Sequence, residues 1–130
     1  MDIQPEPEND ESYCERPRGL KPIRVVFSPE AEEVYKFLVK SNSKIEKSIL
    51  NAVRRKTEFI TINAHYGEPV AKRLIPEEYK IKYGVTNLFW VELPNFWRMI
   101  YTLTNNEVEI IAFILDIFGH KRYGRKFGYH

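Results

Sequence analysis

Read for the spacing of its apolar positions, the chain starts its ordered part at Ile23-Arg24-Val25-Val26-Phe27, a β-branched run that predicts a strand. Ser28-Pro29 closes the run, with serine suited to cap a helix and proline suited to its first turn. Ala31, Val34, Tyr35 and Leu38 then recur at helical spacing. Glu30, Glu32 and Glu33 stand at the start of that helix, where negative charge suits the dipole. This helix is predicted to end near Ser41-Asn42. Ser43 and Glu46 have the Ser-x-x-Glu spacing of a capping box, and Ile45, Ile49, Ala52 and Val53 form a second apolar stripe. Together the two segments read as an αα-hairpin.

From Asn63 to Thr86 the periodicity fails, and Gly67, Pro69, Pro76 and Gly84 punctuate the segment. A long loop carrying Lys72, Arg73, Lys80 and Lys82 is expected there, of the kind that often serves function. Three strands follow: Leu88–Leu93, Trp97–Leu103 and Val108 to about Phe118, joined by turns at Pro94-Asn95 and Thr104-Asn105-Asn106. The last is apolar almost throughout, so both of its faces need cover and it belongs at the centre of a sheet. The expected fold class is α+β. Its order is βααβββ, with the helical hairpin packed on one face of a four-stranded, mostly antiparallel twisted sheet whose central strand pairs with both its predecessor and the N-terminal strand.

Composition adds a boundary. Residues 1–21 hold prolines and little to bury, which predicts a disordered acidic tail ahead of a single domain spanning 22–130. Residues 1–15 carry six acidic side chains (Asp2, Glu6, Glu8, Asp10, Glu11, Glu15) and no Lys or Arg. The net charge of +2 therefore conceals a basic remainder, with twenty Lys and Arg set against twelve Asp and Glu. Such an excess attracts polyanions, and the tail is either solvated or folded over the basic face in imitation of a nucleic-acid backbone. Lys44, Lys47, Arg54, Arg55 and Lys56 on the second helix are likewise either solvated or in contact with nucleic-acid backbone. The single cysteine, Cys14, forms no internal disulfide, and neither a secretory signal nor a membrane-spanning run is visible. A cytoplasmic protein without membrane contact is expected.

After the last strand comes Gly119-His120-Lys121-Arg122-Tyr123-Gly124-Arg125-Lys126-Phe127-Gly128-Tyr129-His130, which mixes cations, histidines and aromatics without an acid. Cations hold phosphates, aromatic faces stack on exposed bases, and His or Tyr can move protons. The alternative is a basic C-terminus docked by its aromatic rings. The order of elements, together with Ala71-Lys72-Arg73-Leu74, Trp97-Arg98-Met99-Ile100-Tyr101, His120-Lys121-Arg122-Tyr123 and the closing Phe127-Gly128-Tyr129, resembles the RelE/ParE toxin superfamily over about residues 23–129. The nuclease branch of that superfamily cleaves mRNA on the ribosome, its ParE branch poisons DNA gyrase, and a bound antitoxin silences both. The resemblance thus implies a type II toxin of plasmid-stabilisation type, partnered by an antitoxin and by the ribosome and mRNA. The alternatives are a non-catalytic gyrase inhibitor, with DNA gyrase as partner, and a degenerate relative that only binds.

RNA is cut without a metal when its own 2′-hydroxyl attacks phosphorus, leaving a 2′,3′-cyclic phosphate. The enzyme supplies a base, an acid and cations for the extra phosphoryl charge. The three histidines are scattered and no phosphate-binding glycine loop occurs, so neither metal nor cofactor is expected. The resemblance makes Arg98 the contact to the scissile phosphate, for which guanidinium geometry is suited. A surface arginine paired with Glu92 or Glu109 across the sheet is the competing reading. His120 and Tyr123 match positions of proton transfer and base stacking, and Lys72, Arg73, Lys121, Arg122, Arg125 and Tyr129 are the expected RNA contacts. Trp90 and Glu92 stand where some nuclease members carry lysines. Glu92 is one candidate base, or else neutralises Arg98, and Glu68 in Gly67-Glu68-Pro69 is a second carboxylate by analogy with another subgroup.

Overall fold

The computed structural model describes residues 21–119, so most of the acidic segment and everything after Gly119 lie outside the described residues. Order is already present at Lys21, whose ammonium donates to Asn105 Oδ1 at 2.7 Å, and at Pro22, whose carbonyl accepts from the Ile110 N–H at 2.9 Å.

Strand β1 (Ile23–Phe27) leads through Ser28 into helix α1 (Pro29–Lys40). Ser28 is fully buried, and its hydroxyl accepts from the Ala31 N–H and donates to the Leu115 carbonyl at 2.8 Å. One side chain thus caps α1 and ties it to the middle of the sheet. Helix α2 (Lys44–Ile62) starts on Ser43, which accepts from the Glu46 N–H. The return half of the expected capping box is rerouted. The Glu46 carboxylate accepts from the Ser41 hydroxyl, which in turn accepts from the Ser43 N–H at 3.0 Å. A third hydroxyl therefore links the two helices at their corner.

The segment 63–86, expected as a loop, contains strand β2 (Glu68–Pro69), a 3-10 turn at Lys72–Leu74 and helix α3 (Glu77–Tyr83). Pro76 opens α3, Glu77 and Glu78 occupy its first turn, and Gly84 closes it at φ 63°. Two turns are too few for apolar periodicity to show, so the punctuation dominated the sequence pattern.

The meander strands are β3 (Phe89–Leu93), β4 (Trp97–Asn105) and β5 (Ile110–Phe118). Among the described residues five strands, not the expected four, run in the order β1-β5-β4-β3-β2, with β1 and β5 parallel and the other pairs antiparallel. The addition is the two-residue β2 on the outer edge of β3. As expected, β5 lies between β1 and β4 and is covered on both faces. On one, α1 and α2 bury Leu38, Ile49, Val53 and Ile60 against Val91, Met99, Tyr101, Ala112, Ile114 and Ile117. On the other, Ile75, Tyr79 and Val85 from around α3 pack on Leu88, Ile100, Leu115 and Phe118. A bulge in β5 opposite Ile100/Tyr101 lets Leu115 and Asp116 both meet this second side, where the Tyr79 hydroxyl donates to the Asp116 carboxylate at 3.3 Å.

Candidate functional site

The period of two along β4 turns Met99 and Tyr101 to the helical hairpin and Arg98 and Ile100 to the opposite face. Helix α3 covers the Ile100 end of that face. Arg98 pairs in register with Glu92 of β3 on one side and with Phe118 of β5 on the other. Trp90 opposes Ile100 on β4 and Glu68 on β2. The ladder therefore brings Glu68, Trp90, Glu92 and Arg98 onto one sheet face.

The Arg98 guanidinium lies over the indole of Trp90, 3.8 Å from a ring centroid, well inside cation–π range. Glu92 is exposed and, among the described residues, takes part in no ion pair. The expected alternative partner Glu109 is elsewhere. It precedes β5 at the far end of β4 from Arg98 and binds Arg24 of β1 through both carboxylate oxygens, at 2.8 and 3.1 Å. The Arg24 guanidinium holds the Glu109 carboxyl below its ordinary value.

Glu68 is placed by Tyr101. The Tyr101 side chain is wholly buried, its hydroxyl donates to the Ala64 carbonyl at 2.8 Å, and it accepts from the Gly67 N–H at 2.8 Å. Burial pushes the Tyr101 pKa up, so the hydroxyl keeps its proton and its donor role. This clamp draws the end of α2 down to the sheet immediately before Glu68. Only glycine fits at 67, since a Cβ there would stand 2.9 Å from both the Trp90 carbonyl oxygen and the Tyr101 ring. The result is a shallow cleft lined by Lys56, Tyr66, Glu68, Trp90 and Glu92, with the Lys56 ammonium 3.2 Å from the Tyr66 hydroxyl.

Lys72 and Arg73 are exposed on the 3-10 turn that follows β2, beside the same edge of the sheet. Of the cations expected on the outer face of α2, three are engaged within the chain. Lys47 donates to the Val39 carbonyl at 2.6 Å, Arg54 to the Tyr35 hydroxyl at 2.9 Å, and Lys56 to Tyr66. His120, Lys121, Arg122, Tyr123, Arg125 and Tyr129 lie outside the described residues. In sequence, His120 follows Phe118, the register partner of Arg98, by two positions. Among the described residues no group of three His, Cys, Asp or Glu is gathered to hold a metal ion, and no helix is long and apolar enough to cross a membrane.

Two supports of this site escaped the sequence pattern. Tyr101 was visible only as the end of an aromatic-Arg-apolar-apolar-Tyr run, and its hydroxyl partners, Ala64 and Gly67, lie in the turn after α2, more than thirty residues away. Trp90 was visible as a departure from a lysine position. Pairing the meander across the Pro94-Asn95 turn would have put it diagonally beside Arg98.

No family model matches the sequence, and no curated protein matches it significantly. Among solved structures, the chain is similar to the YoeB dimer of Staphylococcus aureus, at 20% identity over 76% of this chain and 98% of that one, with a TM-score of 0.49. It is also similar to a YoeB/ParE toxin of Agrobacterium tumefaciens, at 14% identity over 75% of this chain and 98% of that one, with a TM-score of 0.45.

Proposed function

We propose that the chain is the toxin of a type II toxin–antitoxin pair and cleaves mRNA on the ribosome by 2′-hydroxyl attack. The observation that carries this reading is the setting of Arg98: a guanidinium stacked on Trp90, with the carboxylates Glu68 and Glu92 in adjoining rows of the same sheet face. A planar fork of donors fits phosphate oxygens and the charge that builds on them. Of the two carboxylates, Glu68 is the better base, because the Tyr101–Gly67 clamp fixes the backbone beside it. Glu92, directly across from Arg98, is the counter-charge. His120 protonates the departing 5′-oxygen and Tyr123 stacks on an unstacked base, the roles their motif implies. Lys72, Arg73, Lys121, Arg122, Arg125 and Tyr129 contact the RNA beyond the scissile phosphate.

Inducing the chain in cells and mapping mRNA 5′ ends tests the reading. Breaks phased to codons are expected, with at least a hundredfold loss in Arg98→Ala, on the scale of removing one transition-state donor. Intact mRNA accompanied by DNA damage would replace this reading with gyrase inhibition, and growth unaffected by induction would leave a binding protein.

A further inference from the structure

The cleft at the outer edge of β3 holds three charged side chains that do not pair with one another. Lys56 comes to it from α2, Glu68 from β2 and Glu92 from β3. Among the described residues the Lys56 ammonium donates to the Tyr66 hydroxyl and forms an ion pair with neither carboxylate. Neither carboxylate accepts a hydrogen bond there, so their acceptor oxygens stand uncommitted. Strand β2 begins at Glu68, opposite Trp90, and β3 runs on past it, which leaves Glu92 exposed beside the bare edge. Tyr66 adds a flat apolar surface. Its ring is 37% exposed and is backed by Phe59, with the ring centroids 5.2 Å apart.

An aromatic surface, an ammonium donor and open carboxylate acceptors together complement the edge of a nucleobase. Two carboxylates against one ammonium make the cleft a poor seat for a phosphate, and leave the uncharged base as the part of a nucleotide that fits. The pattern also ranks the bases. Guanine presents two parallel N–H donors, at N1 and the 2-amino group, to a carboxylate, and its O6 beside them accepts from an ammonium. Adenine has no carbonyl for the ammonium, cytosine has one amino group alone, and uracil flanks its single N–H with carbonyl oxygens that a carboxylate repels. We infer that the cleft reads guanine, with Glu92 accepting from N1–H and the 2-amino group, Lys56 donating to O6 and the base packed on Tyr66. This rests on the reading of the chain as a ribonuclease with Glu68 as its base. The guanine then belongs to the nucleotide whose own 2′-hydroxyl attacks, on the 5′ side of the break.

The test offers the full chain free GMP, IMP, AMP and UMP, with affinities read by ligand-detected NMR, and maps mRNA ends in cells as a second readout. IMP is GMP without the 2-amino group, and AMP lacks the carbonyl. Each probe carries one phosphate, so contacts to phosphate cancel in the ratios. The native chain is expected to bind GMP about tenfold more tightly than IMP, AMP or UMP, on the scale of one well-made base contact. Glu92→Met is expected to bring GMP and IMP within about threefold of each other, and Lys56→Met to do the same for GMP and AMP. In cells, guanine is expected immediately upstream of most breaks. Equal affinity for GMP and IMP in the native chain overturns the inference without recourse to a variant, and so does a GMP preference that survives both substitutions. Where free nucleotides bind too weakly to rank, the mapped ends decide, and breaks without guanine enriched upstream overturn it. A native chain that ranks the nucleotides as expected yet breaks no mRNA upholds the cleft and removes the ribonuclease reading. One that neither ranks the nucleotides nor breaks mRNA overturns both.

Discussion

A buried tyrosine hydroxyl that both accepts from Gly67 and donates to Ala64 satisfies two backbone groups that no helix or strand partner serves. Removing it in Tyr101→Phe leaves both groups wanting, with a ring of the same shape in place. The variant should lose about 1–3 kcal/mol, read from urea unfolding at neutral pH. The pH dependence has a definite sign. Burial raises the folded-state pKa of Tyr101 above its unfolded value, so the contribution is complete below about pH 10, the ordinary tyrosine value, and is lost as pH rises through the folded one. Between pH 8 and pH 11 the native chain should lose stability more steeply than Tyr101→Phe, by up to one proton in the slope. Equal slopes would show that the hydroxyl is not held as the hydrogen bonds require. This role was illegible in the sequence because Tyr101 acts through contacts 34 and 37 residues distant, whereas the local pattern showed only an apolar strand position.

Elements long enough to show their period were legible. Strand β1, helices α1 and α2 and the meander all follow from apolar spacing, caps and turns, and the nearly continuous apolar run of β5, interrupted only by Asp116, correctly demanded a central place. That run also demanded a second cover, which the sequence pattern left unnamed. The cover is α3, seven residues framed by Pro76 and Gly84, whose buried anchor is Tyr79. Short elements like this one and β2 are set by long-range packing and leave no periodic trace. Tyr79→Ala is therefore expected to cost about 3–5 kcal/mol, the range for emptying a large aromatic site in a core. A tyrosine on an exposed surface loop would cost less than about 0.5 kcal/mol. Chemical denaturation of the two chains separates these cases. Of the candidate site, the motif pointed to Arg98 and analogy to Glu68. Their shared face emerged only with the register that joins β2, β3 and β4.

Across the whole chain, charge is divided by position along the sequence, with no Lys or Arg in residues 1–15 and a surplus of basic groups in the rest. Part of that surplus is already engaged: Arg24 is paired with Glu109, and Lys47, Arg54 and Lys56 bind groups of the chain itself. What attracts a polyanion at a distance is the sum of charges, engaged or not, and the six acidic groups near the N-terminus subtract from it. Deleting residues 1–15 raises the formal net charge from +2 to +8. If those groups act through the long-range field, the shortened chain should bind a single-stranded RNA more tightly at about 50 mM salt. The advantage should fade by about 0.3 M, where screening acts within a few ångströms. Fluorescence anisotropy at the two salt concentrations distinguishes the possibilities. An advantage that survives high salt would mean that the acidic segment covers the surface that takes up the RNA probe by direct contact. No advantage at low salt would mean that its charge is not felt at that face at all.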